Sequence, residues 1–227
     1  MKLAGIDGKV SRGFALAAAR LGYGLAQYRP VAASRPVSGV PLSVVTGYFD
    51  PTKGLSYREA AAWGKPVVEL VASSSGLAVG DYLVVQADPA LPTLSVETAF
   101  VSRIEPARPM LAVLCNAVLD LLASGSTARQ SAIGYQPPAD PAAATDIVLA
   151  SGWPASVLVK TRSGEAPPAR LPTDVRSASY EVLMPLVPGV AVTAGLRARD
   201  ASGQHYHLVA VERSAYGLHM LASIDQA

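Results

Sequence analysis

The chain has 227 residues, half of them hydrophobic and 16% charged, a balance that excludes a disordered chain and allows a sizeable core. Cys115 is the only cysteine, which excludes an intrachain disulfide and a thiolate metal cluster. The net charge of +2 does not by itself imply a nucleic-acid partner. No apolar run reaches the roughly 20 residues that span a bilayer. Charges at Lys2, Asp7 and Lys9 interrupt any signal-peptide core. The expectation is a soluble product made in a cytoplasm, with no membrane association.

Aromatics make up 6% of the chain, and there are 18 Pro and 19 Gly. A core of small and β-branched side chains suits strands. This much proline means many short elements and long connections. The charge is unevenly placed. Lys2, Lys9, Arg12, Arg20, Arg29 and Arg35 face Asp7 alone over residues 1–49, and the rest of the chain is net acidic. A basic N-terminal segment on an acidic body points to an anionic neighbour or to a solvated arm.

Residues 9–27 carry Val10, Phe14, Ala17, Ala18, Leu21 and Leu25 at helical spacing, with Asp7 as an N-cap and Gly22 or Gly24 as a stop. One amphipathic helix cannot bury itself, so it must pack on its own body or on a neighbouring chain. Residues 28–43 read as an extended Pro-rich arm, because each residue before a proline is pushed to extended geometry. Strands follow at 42–49, 66–72, 82–86 and 96–104, with a polar connection around Tyr57 and Trp63 at 55–65. The run 110–122 fits either a strand or a helix.

Residues 124–146, rich in Ser, Ala, Pro, Gly and Asp, read as a linker. Short strands are expected at 147–150 and 156–161, around Trp153 and Pro154, and a Pro-rich loop at 163–174. The clearest β pattern is 177–225. Tyr180, Val182 and Met184 alternate with polar and outward positions, 190–199 reads as a strand, Asp200–Gly203 is a hairpin turn, and 206–211 and 217–224 are the last strands. The fold class expected is mainly β: one or two small antiparallel barrels or meanders, with an N-terminal helix and arm. The expected divisions are 1–41 (helix and arm), 42–123 (first β-region), 124–146 (linker) and 147–227 (C-terminal β-domain).

Two segments share an outline. Val79-Gly80-Asp81-Tyr82-Leu83 followed by Phe100–Glu105 matches Pro188-Gly189-Val190-Ala191-Val192 followed by His207–Glu212. In each, a glycine turn opens one strand and the next ends at a glutamate. Duplication and generic hairpin chemistry both give this outline.

No catalytic constellation stands out. His205 and His207 share a strand face, a metal geometry in principle, but an exposed strand face explains them as well. Cys115 among Val113, Leu114 and Ala117 reads as a buried thiol. Gly22-Tyr23-Gly24 lacks the strand context of a dinucleotide loop. The reading is therefore a non-enzymatic protein with no cofactor.

Several stretches resemble uncharacterised virion proteins of tailed bacteriophages. They are Arg12-Gly13, Ala18–Gly22, Gln27–Pro30, Gly64-Lys65-Pro66, Gly76–Val84, Arg103–Pro106 and Pro109–Asn116, about the first half of the chain. Residues 187–222 resemble more loosely the β-barrel of phage head–tail connector and adaptor proteins. Residues 86–99 depart from the pattern, with a longer Pro-containing insertion. The resemblance implies a virion protein made in the host cytoplasm, a ring subunit of the neck or tail. Its partners would be copies of itself, the portal, connector or tail proteins, and packaged DNA. On the residues, the interaction set expected is Lys9, Arg12, Phe14, Arg20, Leu21, Tyr28, Arg29 and Arg35, with helix and arm docking on an adjacent subunit. Two other readings are carried: a glycan- or ligand-binding β-module of a tail tip, which needs Trp63, Trp153 and Tyr135 exposed, and a cell-wall-degrading enzyme.

Overall fold

The computed structural model describes residues 3–50, 66–73, 75–87, 96–106, 108–123, 146–160 and 179–224. Their order is α1 (Leu3–Leu21), β1 (Tyr23–Tyr28), β2 (Ser43–Asp50), β3 (Val67–Ala72), β4 (Tyr82–Val85), β5 (Thr98–Arg103) and β6 (Met110–Cys115). Then come β7 (Ala117–Ala123), β8 (Ile147–Lys160), β9 (Ser179–Met184), β10 (Arg197–Asp200), β11 (His205–Ser214) and β12 (Gly217–Ile224). The expected class holds: the chain is mainly β, with an N-terminal helix and two closed antiparallel barrels of six strands. Closure leaves no sheet edge unpaired along the barrel wall.

The two barrels have the same topology. The first runs β1-β2-β3-β6-β5-β4 and the second β7-β8-β9-β12-β11-β10, so each strand n corresponds to strand n+6. The match extends to single residues. Gly80 N–H donates to Val101 O at 2.8 Å and Val101 N–H to Asp81 O at 2.9 Å; Gly195 N–H donates to Leu208 O at 2.8 Å and Leu208 N–H to Leu196 O at 2.9 Å. Gly80 and Gly195 have φ of 91° and 89°, a region that favours glycine. A β-bulge follows in both, between Val101 and Arg103 and between Leu208 and Ala210. The facing strands then read Met110-Leu111-Ala112 and Met220-Leu221-Ala222. The aligned Phe100–Glu105 and His207–Glu212 segments therefore do correspond. The partner of Gly80 is Gly195, six residues beyond the Gly189 that the sequence outline chose. Residues 190–196, expected as strand, lie outside β10.

Four further boundaries move. Residues 23–27 leave the helix and become β1, because Gly22 ends α1. Its N–H donates to Ala18 O at 2.7 Å, and a Cβ there would sit 2.4 Å from Ala18 O and 2.9 Å from Gly47 O. Asp7 lies inside α1, not at its cap. Residues 110–122 are two strands broken at Asn116, and β7 belongs to the second barrel. The chain thus passes from one barrel to the other at Asn116, not at 124–146, and that expected linker lies outside the described residues apart from Asp146. Finally, 147–160 is one strand, which bends at Gly152 with φ of 69°.

The arm is a connection. Residues 29–42 join the paired strands β1 and β2 and cross to the chain's own second barrel. Arg35 N–H donates to Ser151 O at 2.7 Å and Ser151 N–H to Ala33 O at 3.1 Å, a parallel bridge between Ser34 and Ser151. The Trp153 indole N–H donates to Ala33 O at 2.7 Å. The free Pro-rich arm expected at 28–43 is therefore not shown: this stretch is bonded to Ser151 and Trp153 of its own chain.

Each barrel has its own core, around Leu25, Leu70, Leu83 and Val101 in the first, and the seam between them joins the core of the second. Cross-strand partners Tyr28, Tyr82, Phe100, Val113 and Val67 form a row around the flank of the first barrel. Tyr82, Phe100 and Val113 are buried in the cluster that fills the second barrel. Tyr82 packs edge-on to Phe100 and to Trp153, with ring centroids 6.2 and 6.1 Å apart. The corresponding row on the second barrel reads Leu122, Arg197, His207, Ser223 and Ser179. The flank that carries three aromatic rings in the first copy carries Arg197, His207 and two serines in the second.

Candidate assembly surface

Helix α1 packs against β2 and β3. At 100° per residue, Ala18, Ser11 and Phe14 share the inner face; Ala18 is 1% exposed and Phe14 half-buried. Lys9, Arg12, Leu16 and Arg20 share the opposite face, and all four are exposed. Leu16 is 59% exposed in the centre of that cationic stripe, and Leu21, at the helix end, is 65% exposed. None of Lys9, Arg12 and Arg20 has a carboxylate partner among the described residues.

The remaining members of the expected interaction set are engaged inside the chain. Tyr28 packs in the seam between the barrels. Arg29 holds the buried Asp81 carboxylate with two bonds of 2.7 Å, and this pairing raises the guanidinium pKa. Arg35 lies over Gly152, where an added Cβ would meet its side chain at 3.4 Å. The structure therefore brings together Lys9, Arg12 and Arg20, with Leu21 near, and separates them from Tyr28, Arg29 and Arg35.

Two groupings escaped the sequence reading. Asp81, 1% exposed, also accepts from Gln27 Nε2 at 2.6 Å and Ala78 N–H at 2.8 Å. Gln27 and Arg29 both donate to Gly76 O. The counterparts of Gln27, Arg29 and Asp81 in the second barrel are Leu121, Ala123 and Leu196. One barrel closes this corner with a polar network, the other with apolar side chains. A cavity of about 300 Å³ opens beside it, between the barrels, lined by Arg29, Asp81, Pro185 and Tyr216 among others. Arg103 reaches across from the first barrel to stack 5.2 Å from the Tyr216 ring.

The second grouping is Glu181, His219 and Glu212, on the outer faces of adjacent strands β9, β12 and β11. His219 Nε2 is 2.7 Å from Glu181 and Nδ1 3.2 Å from Glu212. No Arg or Lys pairs with either carboxylate among the described residues. Counting three residues outward from the Ala215-Tyr216 turn pairs Glu212 with His219, so half of it was legible once the hairpin was placed. The β9 partner was not, because its register is set by long-range pairing.

Cys115 lies against the core, and burial pushes its thiol up to about 12, which suppresses nucleophilic thiolate. Trp153 is fully buried; Trp63 and Tyr135 lie outside the described residues. Among the described residues no three His, Cys, Asp or Glu groups are placed to hold a metal ion, and no helix is long and apolar enough to cross a membrane. No protein family, no curated protein and no solved structure matches the chain.

Proposed function

We propose that the chain is a structural subunit of a tailed-phage particle, forming a ring in the neck or tail that joins portal, connector or tail proteins. The single observation that carries this reading is the outer face of α1. A helix that buries one face on its own barrel and turns Lys9, Arg12, Leu16 and Arg20 outward is suited to a second contact. A body of two barrels joined by the buried seam of Tyr82, Phe100 and Trp153 supplies rigid lateral support for such a ring. The motif resemblance gives the particle class. The glycan-binding reading loses Trp153, which is spent on the core.

The test is the mass and electron-microscopic appearance of the purified chain, with and without residues 1–21. The expected result is a closed oligomer for the full chain and folded monomers for the truncation. The cut stops before Tyr23 because removing residues to 40 would take away β1 and open the first barrel. A full chain that stays monomeric at all concentrations, or that digests peptidoglycan, would overturn the reading.

A further inference from the structure

We infer that the outer stripe of α1 docks on the β9–β12–β11 face of a second copy of this chain, across Glu181, His219 and Glu212. This rests on the ring reading above and names its lateral contact.

The two surfaces match in charge and in spacing. Arg12 and Arg20 lie two helical turns apart, about 12 Å along the axis, with Leu16 between them. Glu181 pairs with Leu221 and Glu212 with His219. Two strand spacings of about 4.8 Å and two residue steps of about 3.4 Å therefore place the two glutamates about 12 Å apart. Between them lie the half-buried Leu221 and Leu183 and the imidazole. Arg–Leu–Arg thus faces Glu–Leu–Glu. The helix stripe contains no carboxylate. The cluster carries −2 with His219 neutral and −1 with it protonated; the exposed Lys160, on β8 opposite Ser179, is the cation that borders it on the same face.

Leu16 decides between the partners that a cationic stripe could take. A phosphate backbone is recognised by charge alone and would leave a 59% exposed leucine unburied at the centre of the contact. A protein face with leucines between its carboxylates buries it. The two surfaces are also different patches, one at each end of the chain. Used one way it is a heterologous contact that repeats head-to-tail, the repeat a ring requires, whereas a reciprocal exchange of the two patches would stop at a two-fold dimer.

The test uses two full-length variants, one with Arg12→Glu and Arg20→Glu, the other with Glu181→Lys and Glu212→Lys. Each reverses surface charges, and circular dichroism checks that each folds. Like charges across an interface cost several kcal/mol, so each variant alone should associate at least ~100-fold more weakly in sedimentation. An equimolar mixture should regain association, because each contact between unlike copies restores opposite charges; a ring of even order closes fully, and one of odd order keeps a single mismatched contact and stays an open oligomer. Folded variants that assemble like the original chain, or a mixture that stays dissociated, would overturn this contact and leave the ring reading standing. So would loss of duplex-DNA binding in the arginine variant with assembly intact. A wild-type chain that never oligomerises would remove the ring reading itself, and this contact with it.

Discussion

The Tyr82 hydroxyl donates to the Pro154 carbonyl at 2.7 Å, across the seam between the barrels. Tyr82 stands on the outer wall of the first barrel, yet its ring is buried with the core of the second. Burial holds its ionisation well above the usual tyrosine range, so the donor persists at any ordinary pH. Tyr82→Phe leaves the buried carbonyl without its partner and should cost about 1–3 kcal/mol. Tyr82→Ala adds a cavity and should cost about 3–5 kcal/mol. In urea unfolding both should shift one cooperative transition. Two separate transitions would show that the barrels do not depend on this seam.

The Asp81 network gives a prediction from the repeat itself. Arg29→Ala alone leaves a buried carboxylate with Gln27 and Ala78 as its remaining donors, and should cost about 1–3 kcal/mol. The combined change Gln27→Leu, Arg29→Ala and Asp81→Leu installs the second barrel's solution in the first. Replacing a buried charge together with its side-chain donors by apolar groups is often neutral or stabilising, and the Ala78 N–H and Gly76 O that lose side-chain partners lie where water reaches them. The triple variant should therefore melt close to the original chain and above the single variant. A triple variant less stable than Arg29→Ala would count against the residue-by-residue correspondence of the barrels.

That correspondence marks the limit of what the sequence made legible. The bulged strand pair was visible, because Phe100–Glu105 and His207–Glu212 carry their outline in local alternation and a turn glycine. Gly195 was missed in favour of Gly189 because both sit in turns with positive φ, and only the long-range bond to Leu208 distinguishes them. β1 reads as helix in the sequence because Leu25 satisfies the helical period that runs from Val10 to Leu21, whereas Gly22 stops the helix both locally, against Ala18 O, and through tertiary pairing, against Gly47 O, 25 residues on. In the candidate surface, the basic stripe of α1 could be read from spacing alone. The roles of Arg29 and Arg35 could not, since Asp81 and Gly152 reach them only through tertiary pairing.

Stability should fall at both ends of the pH scale for separate reasons. Burial pushes the Cys115 thiol from 9.0 to about 12. Burial and the bond to Asp200 push Tyr206 from 10.0 to about 12. Both are protonated in the fold and ionise first in the unfolded chain. Their contribution is therefore complete below about pH 9 and is lost as pH rises toward 12. Asp200 behaves oppositely. Burial alone would raise it, but bonds from Ser202, Gln204 and Tyr206 hold it below 3.8. Its contribution is present above that value and lost as pH falls through the lower, folded value. Guanidinium unfolding across the pH range should show both limbs. Cys115→Ala should flatten the alkaline limb, and an unchanged slope there would remove the thiol from this account.

Two glycines with positive φ separate backbone strain from steric closure. Gly189, at φ 72°, has open space where a Cβ would go, and Gly217, at φ 128°, would place one 2.6 Å from Met184 O. A side chain at a left-handed position costs about 1–2 kcal/mol, so Gly189→Ala should lower stability by about that amount. Gly217→Ala meets the same kind of strain and also drives β12 away from β9, where Leu218 pairs with Met184. Met184 carries the core side of that ladder, and it cannot yield without moving Pro185, whose Cα lies 3.4 Å from the added carbon. Gly217→Ala should therefore lose at least ~3 kcal/mol, strain and lost packing together, and its amide exchange along β9 and β12 should quicken before the rest of the barrel. Equal losses from the two substitutions would mean that the β11–β12 turn shifts to accommodate the methyl group, and that the close approach to Met184 is not what holds this end of the second barrel shut.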